Sequence, residues 1–262
     1  MRVRAGTAVL LTLALAACGA SGATSSTPAA TGSACATGIA CGPGEGELPI
    51  PASEGVGDVP NNTVESNGAI LVGEDGIPAT AANPDVPTVT IYSDFLCPWC
   101  QKFEDLHGDS LFEMADAGEV NIEYVFMSKL ATGPEGFSTR SAAAAYIVAS
   151  EAPEAFHDFI TMLFADQPTS EAEFLANDEL AALAEGAGTP QGVVDRIAQL
   201  AADSPIIAYV ERISEAAWEF GDTFPEALPE GLKVPFVLIN GEPLTVNWTE
   251  EGQFEAALAA AQ

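Results

Sequence analysis

Residues 94–101 read Asp-Phe-Leu-Cys-Pro-Trp-Cys-Gln. Two cysteines spaced C-x-x-C admit three readings: a redox pair, half of a metal site, or two core thiols. Just upstream, Thr88-Val89-Thr90-Ile91-Tyr92 is β-branched and aromatic and breaks at Ser93-Asp94, which predicts a strand ending on the motif. Just downstream, Pro98 suits the first turn of a helix, where a missing N–H costs nothing, and Phe103 and Leu106 follow at helical spacing as far as Gly108. Cys97 therefore falls at a helix N-terminus, where unpaired N–H groups and the helix dipole favour its thiolate. Cys100, one turn later, is expected to be the more buried thiol and to resolve a mixed disulfide. Pro98 and Trp99 add rigidity and an apolar face, with less thiolate stabilisation than a His at position 99 would supply.

Working outward, Ala69-Ile70-Leu71-Val72 predicts a first strand closed by the turn residues 73–76. A second short helix is expected over residues 111–117, stopped by Gly118, after which Val120, Ile122, Tyr124 and Phe126 alternate through a strand. From Phe137 to about Gly221 no strand pattern recurs, and Ala-rich and amphipathic stretches broken by prolines predict four or five packed helices. Val234-Pro235-Phe236-Val237-Leu238-Ile239 resumes the strand pattern, with the proline confined to a strand start or edge. Asn240-Gly241 signals a hairpin, and Leu244-Thr245-Val246 reads as its return strand. Thr249 is the expected N-cap of a last helix with Phe254, Ala257, Leu258 and Ala261 on one face. His107 and His157 read as helix-surface residues, Trp218 and Phe220 as core, and Asp94 as a helix-start or turn residue.

The N-terminus has a different character. Met-Arg-Val-Arg is followed by an apolar run over residues 8–17 that is too short to span a bilayer comfortably, then by small residues and Cys18, which is a signal-peptide profile. Leu15-Ala16-Ala17-Cys18 resembles the lipobox of bacterial lipoproteins, and that resemblance implies cleavage after residue 17, lipid attachment at Cys18 and export to the outer face of the cytoplasmic membrane. Residues 18–67 are rich in Gly, Ala, Ser, Thr and Pro without helical or strand period, the composition of a flexible tether.

Eight Lys and Arg against 38 Asp and Glu give a formal charge of -30, which argues against nucleic acid as a partner and for a strongly solvated surface. Of five cysteines, Cys18 is assigned to lipid, which leaves Cys35 with Cys41 in the tether and Cys97 with Cys100 in the folded part. A small structural disulfide between Cys35 and Cys41 and a metal hook both stay open. No second ligand pair is spaced to complete a zinc site with Cys97 and Cys100, so neither metal nor cofactor is expected.

The order strand, Cys-Pro-Trp-Cys on a helix, strand, helical block, Val-Pro strand, hairpin and terminal helix resembles the DsbA-like branch of the thioredoxin superfamily over residues 68–262. The resemblance implies an α/β thioredoxin-like fold, a central mixed sheet flanked by helices, with a helical insertion at about 137–222. It further implies that Pro235 is a cis-proline facing Cys97 and Cys100, and that Val234, together with Pro98 and Trp99, meets bound substrate. One departure stands out: many thioredoxin-like proteins carry a buried acid six positions before the first cysteine, and Ile91 occupies that place here.

These readings converge on a lipid-anchored, extracytoplasmic thiol-disulfide oxidoreductase that introduces disulfides into exported proteins and is recycled by a membrane redox partner. Two alternatives remain open from sequence: a reductase of the same fold, serving cytochrome maturation or repair, and a peptide-binding module whose cysteines stay locked. A cytosolic DsbA-like group with a similar motif is disfavoured by the exported N-terminus.

Overall fold

The computed structural model describes residues 68–262, and the expectations for Cys18, Cys35, Cys41 and the rest of residues 1–67 concern positions outside them. Strand β2 (Thr88–Ser93) is buried along its whole length, as its β-branched run requires, and lies at the centre of a five-stranded sheet. It pairs in parallel with β3 (Asn121–Phe126), from Thr88 opposite Asn121 to Ser93 opposite Phe126. On its other side it runs antiparallel to β4 (Phe236–Ile239), Ile91 facing Val237. Strand β1 (Ile70–Val72) caps β3, and β5 (Glu242–Pro243) caps β4, giving the order β1-β3-β2-β4-β5.

The parallel pair needs a crossover, supplied by α1 (Pro98–Asp116). This is one helix of 19 residues, where the sequence predicts a break at Gly108. At Gly108 the side chain of Glu104 folds back over the helix, and a Cβ there would lie 2.5 Å from Glu104 Oε2. The helix stops instead at Gly118, whose φ of +69° suits a residue without Cβ. Phe103 points inward as expected, whereas Leu106 is 48% exposed.

Between β3 and β4 the chain forms five helices: α2 (Phe137–Glu151), α3 (Phe156–Ala165), α4 (Asn177–Gly186), α5 (Gln191–Ala198) and α6 (Pro205–Gly221). The Ala run of α2 is buried on nearly every side, since small side chains let neighbouring helices approach from several directions. Phe95, just after β2, joins this block to the sheet by stacking on Phe126 at 4.3 Å and meeting the tilted Phe164 ring at 4.7 Å between centroids.

Two elements near the C-terminus differ from expectation. Asn240 and Gly241 both take positive φ, 50° and 80°, so the hairpin closes in two residues. The return strand is therefore Glu242–Pro243, not residues 244–246; Pro243 offers no N–H, and after Leu244 donates to the Val237 carbonyl at 2.9 Å the chain departs. The last helix, α7 (Gln253–Ala259), begins after Gly252 at φ +77°. Thr249 is not its N-cap because Asn247 Oδ1 captures the Thr249 hydroxyl at 2.7 Å in a local turn. Phe254 and Leu258 are buried as predicted. Among the described residues no helix is long and apolar enough to cross a membrane.

Candidate active site

The centre of the sheet presents its strand ends to one place. Asp94 follows β2 directly, its carbonyl accepting from the Cys97 N–H at 3.0 Å, and Cys97 then caps α1 with extended backbone. Its carbonyl takes the N–H groups of Cys100 and Gln101 at 3.0 and 3.1 Å, and Pro98 fills the first helical position. Both cysteines stand as free thiols, Cys97 5% and Cys100 1% exposed.

From the far side of the sheet, the segment entering β4 meets them. The Val234–Pro235 peptide is cis, and Cys97 Sγ donates to the Val234 carbonyl at 3.3 Å. Val234 and Pro235 are half-buried, and Trp99 is 57% exposed with its ring edge against Trp248 at 6.2 Å. The residues singled out in the sequence, Cys97, Pro98, Trp99, Cys100, Val234 and Pro235, thus lie around one cluster.

The two thiols are electrostatically unequal. A hydrogen bond from the Cys100 thiol, aided by the N–H groups of Cys100 and Trp99, brings the Cys97 pKa down to about 7 against the opposing effects of burial and the Asp94 charge. Burial first, and then the neighbouring Cys97 sulfur, push Cys100 well up, although Ser93 hydrogen-bonds to it. The outer sulfur is therefore the more readily ionised of the two, and the inner one holds its proton at neutral pH.

Several residues supporting the site escaped sequence reasoning. Asp94 does form the expected turn, accepting from the Leu96 N–H at 2.8 Å, but it is fully buried and also accepts from Ser138 Oγ at 2.8 Å, Lys129 N at 2.7 Å and Leu130 N at 2.9 Å. It thereby ties the cysteine loop to the loop after β3 and to α2. Gln167 Nε2 reaches from beyond α3 to the carbonyls of Phe95 at 2.8 Å and Cys97 at 3.2 Å. Lys129 donates through Nζ to the Leu232 carbonyl at 2.7 Å, two residues before Val234, and lies 3.6 Å over the Trp218 ring. None of these partners is adjacent in sequence, and only the Asp94 turn had a local signal.

Two expectations are corrected. His107 is not a surface residue: it is 5% exposed, its Nε2 2.8 Å from the Trp248 carbonyl and its Nδ1 3.3 Å from Glu255, because α7 covers that face of α1. Trp218 is not core but 36% exposed beneath Lys129, while Phe220 is buried. His157 is partly exposed and stacks on Phe112 at 3.8 Å. Ile91 is buried opposite Val237 where the usual acid would stand. Among the described residues no group of three or more His, Cys, Asp or Glu is gathered to hold a metal ion.

Comparison with known proteins agrees with this architecture. A thioredoxin family model matches residues 81–256. Among solved structures, oxidised DsbA of Mycobacterium tuberculosis is 26% identical with a TM-score of 0.53, over 74% of this chain and 100% of that one. The reduced disulfide bond oxidoreductase DsbG of the same organism is 28% identical, with a TM-score of 0.53 over 74% and 86% of the two chains. The MdbA thiol-disulfide oxidoreductase of Corynebacterium diphtheriae shares the fold at 19% identity and a TM-score of 0.56, over 74% and 94%. No curated protein matches the sequence.

Proposed function

This chain belongs to the thioredoxin family, and on that premise we propose that it is an extracytoplasmic thiol-disulfide oxidoreductase that forms disulfides in exported proteins. The observation carrying thiol-disulfide exchange, in either direction, is the unequal thiol pair: Cys97 poised near neutrality beside the Val234 carbonyl, Cys100 buried with its pKa raised. In the donor direction a substrate thiolate attacks Cys97 of the oxidised pair, the Cys97–Cys100 bond breaks, and Cys100 leaves and takes a proton. A second substrate thiolate then attacks its own mixed-disulfide sulfur, releasing Cys97 as the stabilised thiolate. The substrate loses two electrons and the pair gains them. Val234 and Pro235 align the substrate backbone, and Pro98 and Trp99 supply an apolar margin.

Support for the donor direction comes from the export signal, since disulfides persist outside the cytoplasm. We assign residues 1–17 as the lipoprotein signal, Cys18 as the lipidated residue, residues 18–67 as a tether in which Cys35 and Cys41 are candidates for a small disulfide, and residues 68–262 as the catalytic domain with its helical insertion. A membrane redox partner would reoxidise the pair.

One observation favours the reductase reading. A thiol near 7 matches reducing members of the fold, whereas the strongest oxidants hold theirs near 3.5, and stabilising the reduced form is what makes a pair oxidising. The reduction potential of the Cys97–Cys100 pair in glutathione buffers decides: a value near or above about -150 mV supports the donor and one near about -270 mV the reductase. A Cys100→Ser variant that accumulates mixed disulfides through Cys97 supports either direction, and one that traps nothing sinks both.

A further inference from the structure

Charge is distributed unevenly around the cysteines. The chain carries three lysines, Lys102, Lys129 and Lys233, against 38 acids. Lys102 Nζ is 5.3 Å from the centre of the Trp99 ring, between the two cysteines in sequence. Lys233 directly precedes Val234. Lys129 is bound to the Leu232 carbonyl and rests on Trp218; burial lowers its pKa, opposed by the nearby Asp94 carboxylate and Cys97 sulfur.

Two acids near these residues are already engaged. Glu230 pairs with Lys233, and the Asp94 carboxylate is filled by four donors. Among the described residues no carboxylate lies within ion-pair distance of Lys129 Nζ, despite the large excess of acids. An ammonium has three N–H donors, and among the described residues only the one to Leu232 is placed, so Lys129 keeps donors for an incoming group. Beside it Leu130 is 50% and Trp218 36% exposed, apolar surface that a polypeptide can cover.

Resting on the oxidoreductase reading, we infer that this face docks an extended polypeptide segment carrying an acidic side chain near its cysteine, with Lys129 receiving the carboxylate. The net charge of -30 repels such a segment at long range. At about 0.1 M salt, however, charges more than roughly 10 Å apart are largely screened, so the nearby Lys129 outweighs the distant acids.

The test uses the full chain and three dithiol peptides alike except for Asp, Ser or Lys beside the cysteine, with exchange rates measured against the Cys97–Cys100 disulfide. At 0.15 M salt the Asp peptide is expected to react roughly two- to fivefold faster than the Ser peptide, the range of a partly exposed ion pair, and the Lys peptide slowest. Near 1 M salt, where screening acts within about 3 Å, the preference should vanish. Lys129→Met should bring the Asp-to-Ser ratio to one, and Lys129→Arg should retain it. Equal rates for the three peptides, a faster Lys peptide, or a ratio unchanged in Lys129→Met overturns the docking site while leaving the redox reading intact. If Lys129→Met does not fold, the salt series on the unaltered chain and the Lys129→Arg ratio decide. Absence of exchange with every peptide would instead defeat the oxidoreductase reading on which the site depends.

Discussion

Asp94 stands three positions before Cys97 and shows how one buried side chain serves both architecture and chemistry. Three backbone N–H groups and the Ser138 hydroxyl donate to it, which an ionised carboxylate satisfies and an amide cannot, since an amide nitrogen brings donors to donors. Asp94→Asn is therefore expected to destabilise the fold by about 1–3 kcal/mol, read by urea denaturation. The same substitution removes a negative charge that raises the Cys97 pKa, so Cys97 should ionise at lower pH. Alkylation rates of the reduced protein, followed against pH, should show the rise through about 7 displaced to lower pH in the variant, and an unmoved profile would count against the Asp94 charge acting on Cys97.

At the scale of elements, α1 carries an unusual carboxyl group one turn beyond Cys100. The Glu104 stem is partly exposed, but Oε1 is enclosed without a hydrogen-bond partner, and Oε2 accepts from the Tyr124 hydroxyl at 3.3 Å. Burial, reinforced by the charges of Asp105 and Asp109 and opposed by Tyr124, pushes its pKa from 4.5 up to about 8. An acid that holds its proton more tightly when folded contributes full stability below the unfolded value and loses it as pH rises through the folded one. Stability is therefore expected to fall between pH 4.5 and 8, with Glu104 contributing a slope of at most about 1.4 kcal/mol per pH unit. Denaturation of Glu104→Gln at several pH values should show that slope reduced; identical slopes would mean the carboxyl is hydrated. Phe95 joins elements in a different way, through dispersion and area, and Phe95→Ala is expected to cost about 3–5 kcal/mol in thermal or chemical unfolding because its neighbours on β3 and α3 cannot both close the cavity.

For the whole molecule, electrostatics sets the working conditions. A net charge of -30 makes the compact state repel itself, and the described ion pairs, such as Arg196 with Glu151, are few beside it. Raising salt from about 0.01 M to 0.5 M shortens the screening length severalfold, so the thermal midpoint should increase. A midpoint that falls over this range would show that local pairs, not global repulsion, govern stability.

Much of this organisation was legible from sequence where the signal is local. Alternation and β-branching marked β2, β3 and β4, proline and glycine punctuation separated the helices, and the motifs at residues 97–100 and 234–235 announced the cysteine pair and its facing segment. Local signals misled at two places: α1 runs on through Gly108, where the folded-back Glu104 side chain leaves no room for a Cβ, and Asn247 took Thr249 away from the last helix. By itself, then, the sequence determined the period of each element and the identity of the two thiols, because both depend on neighbours along the chain. Only the tertiary structure decided that Asp94, Lys129 and Gln167 support those thiols and that His107 is buried, because burial and charge depend on groups 35 to 141 positions away.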